Sequence, residues 1–259
     1  MNHRDAMAGP RPKLRILCFG DSLTQGYSSM GAVLRPYATT LVQMLEMAFP
    51  ELDIETVEDG APGNTVKHGF LARMHGNFPA RKRSDQGFDW AIVLGGTNDL
   101  AYNIPPADIF NKLKEVWDVA LRKKTKVLAL TVPEAGIAGA EALDARRAEL
   151  NSLIKGYKRK GFHAFDLHAA VPFFAMSERD RARFWDDAIH FTPAGYDLIG
   201  NKVGIALVSL LAKEKAESDV FPARRQRYYK DEEGVLEEEV GDPLAIDQGY
   251  IVIRRRDLE

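Results

Sequence analysis

Apolar positions along the chain fall into short runs, each stopped by a glycine or a turn and each followed by apolar positions at helical spacing. Ile16-Leu17-Cys18-Phe19-Gly20 is the first run, and with no polar alternation through it, it predicts a strand buried on both faces. It empties into Asp21-Ser22-Leu23-Thr24-Gln25-Gly26, which is small, polar and bounded by glycine. Gln25 to Pro36 then reads as a loop over the strand end, and Tyr37 to Phe49 as a helix that Pro50 stops. Leu52 to Val57 alternates with period two and predicts the second strand, before a stretch from Asp59 to Thr65 that is dense in turn formers. Phe70, Leu71 and Met74 predict a short helix, followed by an exposed basic connection to Gly87. Asp89 to Leu94 is the third strand, nearly all apolar.

Pro105-Pro106-Ala107-Asp108 opens a helix whose apolar face carries Ile109, Phe110, Leu113, Val116, Trp117, Ala120 and Leu121. Lys126 to Val132 is the fourth strand. Leu143, Leu150, Leu153, Ile154 and Tyr157 fit a helix ended by Gly161, and Phe162 to Leu167 fits the fifth strand. Arg179 to Arg183 reads as a solvated turn. Thr192-Pro193 is an N-cap with proline at the first helical position, so a last helix runs to about Leu211.

Strands alternating with helices predict a parallel sheet between two helical layers, because parallel neighbours need a crossover long enough to hold a helix. The loops that follow the strands then meet at one edge of the sheet. The 259 residues suit one such domain from Leu14 to Lys213. A flexible N-terminus, Met1 to Lys13, precedes it, and a charged C-terminal extension from Glu214 to Glu259 follows. Within that extension, Gly249 to Ile253 is a candidate edge strand or a clasp for a second subunit, hence a route to a homo-oligomer.

The formal net charge of −2 gives no reason to expect a nucleic acid or an anionic membrane as partner. Arg81-Lys82-Arg83 and Arg122-Lys123-Lys124 read as solvated faces or helix ends. The single cysteine, Cys18, excludes an intramolecular disulfide and lies in a core strand. The polar start of the chain lacks the apolar stretch of a signal peptide, and no apolar run approaches a membrane span. A soluble, cytoplasmic protein is the expectation.

Ser22 at the mouth of the first strand has a plain reading as a helix cap. Two distant segments give it another. Gly95-Gly96-Thr97-Asn98-Asp99 closes the third strand, and Asp187-Ala188-Ile189-His190 places a carboxylate and an imidazole three residues apart. A serine hydroxyl attacks an ester at neutral pH when an imidazole takes its proton and a carboxylate fixes the imidazole's tautomer. Donors for the developing oxyanion are the Ser22 N–H, the Gly63 N–H in its turn, and the Asn98 side-chain amide. Asp99 beside Asn98 reads as a tie for its own loop. His68, His75, His163 and His168 read as surface or structural histidines, and none has zinc-site spacing. Tyr27, Met30, Trp185 and Phe191 flank these positions, as pocket walls or as packing. The residues alone also admit a binding module, since Ser22-Leu23-Thr24-Gln25-Gly26 after a strand is akin to the loop with which flavodoxin-type carriers hold FMN. An inactive scaffold is the third reading.

Gly20-Asp21-Ser22-Leu23, Gly63 in its turn, Gly96-Thr97-Asn98-Asp99 and Asp187-Ala188-Ile189-His190 stand in the order and approximate spacing of the sequence blocks of the SGNH, or GDSL-type, hydrolases. The resemblance spans Leu14 to about Leu211, with one departure: members often carry an asparagine upstream of the block-two glycine, where this chain has Asp59. It implies a flavodoxin-like α/β/α sandwich of about five strands, with no metal or organic cofactor. It also implies a catalytic triad of Ser22, Asp187 and His190, and an oxyanion hole of Ser22, Gly63 and Asn98. The expected activity is hydrolysis of small or soluble carboxylic esters through an acyl-enzyme. Acyl transfer to an alcohol would use the same residues.

Overall fold

The computed structural model describes residues 11–79, 87–137 and 139–220. The basic cluster Arg81 to Arg83 and the candidate strand Gly249 to Ile253 lie outside the described residues. Five parallel strands form the sheet: β1 (Lys13–Gly20), β4 (Asp53–Gly60), β5 (Trp90–Leu94), β6 (Lys126–Leu130) and β7 (Phe162–Phe165). Their spatial order is β4-β1-β5-β6-β7. The chain starts in the sheet, steps outward to β4, then returns to the other side of β1. This is the flavodoxin-like order, and its direction reverses between β1 and β5.

Side-chain alternation divides the core into two layers. Ile16 and Cys18 of β1, with Trp90, Ile92 and Leu94 of β5, face α2 (Ala38–Ala48) and α9 (Pro193–Val220). Leu17 and Phe19, with Ala91 and Val93, face α3 (Phe70–Asn77), α5 (Pro106–Arg122) and α6 (Glu141–Gly156). A strand covered on both faces has no polar side to show, which is why β5 is buried at every position.

Four details differ from the sequence reading. Gln25 to Pro36 is more than a loop: after α1 (Ser22–Gln25) it folds into a hairpin of β2 (Tyr27–Ser28) and β3 (Val33–Leu34), with Tyr27 opposite Leu34. Strands of two residues show no alternation to read. Arg179 to Arg183 is not a turn but part of α8 (Glu178–Phe184). Its cap is Ser177, whose Oγ accepts from the Asp180 N–H at 3.1 Å. Two further helices are short, α4 (Thr97–Ala101) after β5 and α7 (Leu167–Ala170) after β7.

The fourth difference is α9, which runs past Leu211 to Val220. By length and composition alone its segment Pro193–Ala216 could cross a membrane, which the sequence reading overlooked. Its inner face, however, packs into the core, with Tyr196, Ile199, Val203 and Leu207 at 0% exposure.

Candidate active site

β1 ends against the backbone of its neighbours. A Cβ on Gly20 would lie 2.6 Å from the Leu94 carbonyl oxygen and 2.1 Å from Thr24 Oγ1, so only glycine lets α1 turn back so tightly. Asp21 caps that turn, its Oδ1 accepting from the Leu23 N–H at 3.0 Å, and Gly26 ends it in the left-handed conformation at φ 78°. The first residue of α1 is Ser22. Its hydroxyl stands at the carboxyl end of β1, beside the point where the strand order reverses.

His190 arrives from the opposite end of the chain. Its Nε2 is 3.0 Å from Ser22 Oγ, and its Nδ1 is 2.9 Å from Asp187 Oδ2. The carboxylate only accepts, so the proton lies on Nδ1 and Nε2 is left to accept from the serine hydroxyl. Asp187 Oδ1 takes the backbone N–H groups of Ile189 and His190, both at 2.7 Å. Partial burial pushes the Asp187 carboxyl up, but these bonds and the imidazole outweigh it and hold the group below its ordinary value, hence ionised. The loop is tied down on two sides. Gly136 N–H donates to the Ala188 carbonyl at 2.7 Å and Ser29 N–H to Asp186 Oδ2 at 2.6 Å. The Tyr27 ring lies 4.8 Å from the imidazole.

Asn98 sits in α4, directly after β5, and its Nδ2 donates to the Asn64 carbonyl at 3.0 Å. Gly63, the residue before Asn64, is left-handed at φ 72° with open space where a Cβ would point. Gly60 differs: a Cβ there would meet the Gln25 nitrogen at 2.3 Å, so that glycine serves the packing of the turn on α1. The turn also continues the ladder alongside the serine elbow, Ala61 N–H donating to the Gly20 carbonyl at 3.1 Å. Asp99 is fully buried and accepts from Val66 and Lys67 N–H at 2.8 and 2.9 Å, tying the same loop from below. Ser22, His190 and Asp187 thus form one hydrogen-bonded chain, and the Gly63 turn and Asn98 are joined at the same sheet edge.

Two further residues bear on the site: Arg73, which sequence reading misses, and Asp21, whose burial it does not reveal. Arg73 of α3 donates to the Gly20 carbonyl at 2.9 Å, to Asn64 Oδ1 at 3.0 Å and to Asp59 Oδ1 at 2.5 Å, with its guanidinium 4.6 Å from the centre of the Phe19 ring. It therefore bridges the end of β1, the end of β4 and the Gly63 turn. Two of its partners are backbone or amide oxygens, which leave no charge pattern in a sequence. Asp59, where the family often has asparagine, is occupied with this bridge.

The second is Asp21. Burial raises its carboxyl from 3.8 to about 6, and its Oδ2 finds no partner among the described residues. Because the folded value lies above the unfolded one, the folded protein holds an extra proton between the two. The stability that protonated Asp21 contributes is full below pH 3.8 and is lost as pH rises through about 6. Asparagine keeps the cap but not the charge. Between pH 4 and 7.5 the Asp21→Asn variant should therefore gain on the parent by about 2.5 kcal/mol, a relative Tm shift of roughly 5–10 °C in thermal unfolding at the two pH values.

His163, His168, Trp185 and Phe191 make contacts with neighbouring side chains. The His163 ring lies 5.4 Å from Trp90, His168 lies 3.9 Å from Glu134, and Trp185 stacks on Phe191 at 4.0 Å with both buried. Burial pushes the Cys18 thiol up to about 12, which keeps it protonated.

A chain with this sheet order, and with a serine elbow meeting an Asp-x-x-His loop, belongs to the GDSL-like lipase/acylhydrolase family, whose model matches residues 18–198. The family is one of ester hydrolases. Among curated proteins, the acetylxylan esterase of Geobacillus stearothermophilus is 33% identical over 112 residues, which are 40% of this chain and 47% of that enzyme. The match thus spans about half the relative's length. Among solved structures, a catalytic mutant of the acetylxylan esterase Axe2 from the same organism superposes with a TM-score of 0.58 at 19% identity, covering 73% of this chain and 92% of that one. A lipolytic G-D-S-L family member from Veillonella parvula gives 0.55 at 22%, covering 73% and 95%. These likenesses establish the same α/β fold.

Proposed function

We propose that the protein hydrolyses carboxylic esters through an acyl-enzyme on Ser22. The observation that carries this reading is the continuous Ser22–His190–Asp187 hydrogen-bonded chain at the strand-order reversal. His190 Nε2 removes the Ser22 proton as Oγ attacks the acyl carbon. Asp187 keeps the imidazole in the required tautomer and balances the imidazolium that forms. Negative charge grows on the carbonyl oxygen, and the N–H groups of Ser22 and Gly63 with the Asn98 amide are the donors proposed to meet it. Collapse of the tetrahedral adduct breaks the bond to the alcohol oxygen, which takes the proton from His190. Water then enters the vacated place and attacks the acyl carbon, giving a proton to His190; the bond to Ser22 Oγ breaks, Oγ takes that proton back, and the acid leaves.

The relatives support this assignment. Two solved structures of the acetylxylan esterase are of catalytic mutants, one altered at an aspartate and one at a histidine three positions further on, the spacing of Asp187 and His190 here. The test is hydrolysis of p-nitrophenyl acetate and butyrate by the purified protein. Release of p-nitrophenolate in proportion to enzyme is expected, and a rate no greater than that of buffer would refute the reading.

A further inference from the structure

Eight large hydrophobic side chains are exposed among the described residues: Met30, Val33, Leu34, Met47, Tyr102, Ile137, Phe174 and Ile205. Five of the eight lie on three segments that are fastened to the histidine loop. Met30, Val33 and Leu34 belong to the β2–β3 hairpin, which is held by Ser29 N–H to Asp186, by Tyr196 OH to the Tyr27 carbonyl at 2.8 Å, and by Tyr27 against the His190 ring. Ile137 follows Gly136, whose N–H holds the Ala188 carbonyl. Phe174 and Phe173 donate their N–H groups to Glu134 at 2.9 and 2.5 Å, and the Phe173 ring lies 5.1 Å from Trp185.

The hairpin tip is also conformationally costly. Ser29 and Met30 both have positive φ, 51° and 54°, and Met30 is 93% exposed. Strain spent on displaying an apolar side chain to water, on a hairpin whose Tyr27 ring lies against the His190 imidazole, is unusual unless something apolar arrives there.

The direction of proton transfer says which half of the substrate arrives. Resting on the ester-hydrolase reading above, the alcohol oxygen must lie at His190 Nε2 to be protonated as its bond to the acyl carbon breaks, so the alcohol portion extends along the His190 side of Ser22. Gly63 and Asn98, on the loops after β4 and β5, serve the carbonyl oxygen instead. We infer that the substrates are esters of apolar alcohols, alkyl or aryl, and that Tyr27, Met30, Leu34, Ile137 and Phe174 form the rim that receives the alcohol half. A sugar alcohol, the leaving group of an acetylxylan, would gain nothing from such a rim.

Two isomeric esters separate the halves at constant hydrophobicity: hexyl acetate, with the chain on the alcohol, and ethyl hexanoate, with the chain on the acid. Burying a methylene favours binding by up to about fourfold, so with a half-open rim kcat/KM for hexyl acetate should exceed that for its isomer by roughly ten- to a hundredfold. The double variant Met30→Ser, Leu34→Ser should bring that ratio close to one. Its melting temperature, compared with the parent's, shows that exposed positions have been changed without unfolding. Equal turnover of the isomers, preference for the hexanoate, or a ratio unmoved by the double variant would overturn the inference. So would a change of oligomeric state in that variant at constant ratio, which would mean that a second copy covers the rim. Hydrolysis that depends on Ser22 but ignores the alcohol defeats this inference alone, whereas no Ser22-dependent hydrolysis of either ester defeats the ester-hydrolase reading and this inference with it.

Discussion

Ser22→Ala is expected to lower kcat on a short-chain ester by about 10⁴- to 10⁶-fold while the protein stays folded. Removing the hydroxyl leaves His190 with no proton to take and the acyl carbon with no nucleophile, so only the donor groups and substrate binding remain to assist water. The fold should barely register the change. Ser22 is small, its one side-chain hydrogen bond among the described residues is to His190, and the turn around it is held by Gly20, the Asp21 cap and Gly26. Loss of one such bond costs about 1 kcal/mol, so the melting temperature should fall by only a few degrees. Initial rates with p-nitrophenyl acetate, beside a thermal melt of both proteins, check the two halves of the statement. A variant that retains a tenth of parent activity would remove Ser22 from its proposed role.

Asn98→Ala is expected to cost about 10²- to 10³-fold in kcat, with KM nearly unchanged. The asymmetry follows from where the amide acts: the carbonyl oxygen carries little charge in the ground state and nearly a full one in the tetrahedral adduct, so a lost donor is felt on the barrier more than in binding. Asn98 Nδ2 also holds the Asn64 carbonyl, so stability should drop by about 1 kcal/mol. Steady-state kinetics on one ester separate the two effects. A rise in KM with kcat intact would place Asn98 in substrate binding instead.

The layout of the sheet was readable because the inner strands β1, β5 and β6 are buried on both faces and announce themselves as apolar runs with a glycine or turn behind them, while β4, at the sheet edge and only half-buried, shows period-two alternation instead. Gly20, Gly60 and the Gly95-Gly96 pair mark the strand ends: at the first two, backbone approaches backbone, and at the pair the side chains of Phe70 and Leu150 close in. What the sequence concealed depends on pairing between short or distant pieces. The β2–β3 hairpin has two residues per strand, and α8 hid in a run of arginines because Ser177 and Asp180, its cap, look like any polar loop. Arg73 was invisible for a different reason, since a guanidinium that grips carbonyl oxygens is indistinguishable in sequence from one that faces water.

At the site, the Asp-x-x-His spacing was legible because Asp187 organises its own loop through the N–H groups of Ile189 and His190. Only the approach of that loop to Ser22, 168 residues away, needed the fold. The structure also weighs against the phosphate-loop alternative. The Leu23 N–H is taken by Asp21 Oδ1, and the Thr24 and Gln25 N–H groups by the Asp21 carbonyl at 3.2 Å, so the elbow offers few donors to a phosphate.

Trapping the nucleophile tests the central claim most directly. The protein is incubated with an alkyl fluorophosphonate, digested, and its peptides weighed by mass spectrometry. The account predicts one phosphonyl adduct, on the peptide that carries Ser22 and absent from Ser22→Ala; an adduct mapped to any other residue, or an active enzyme that takes up no label, would contradict it.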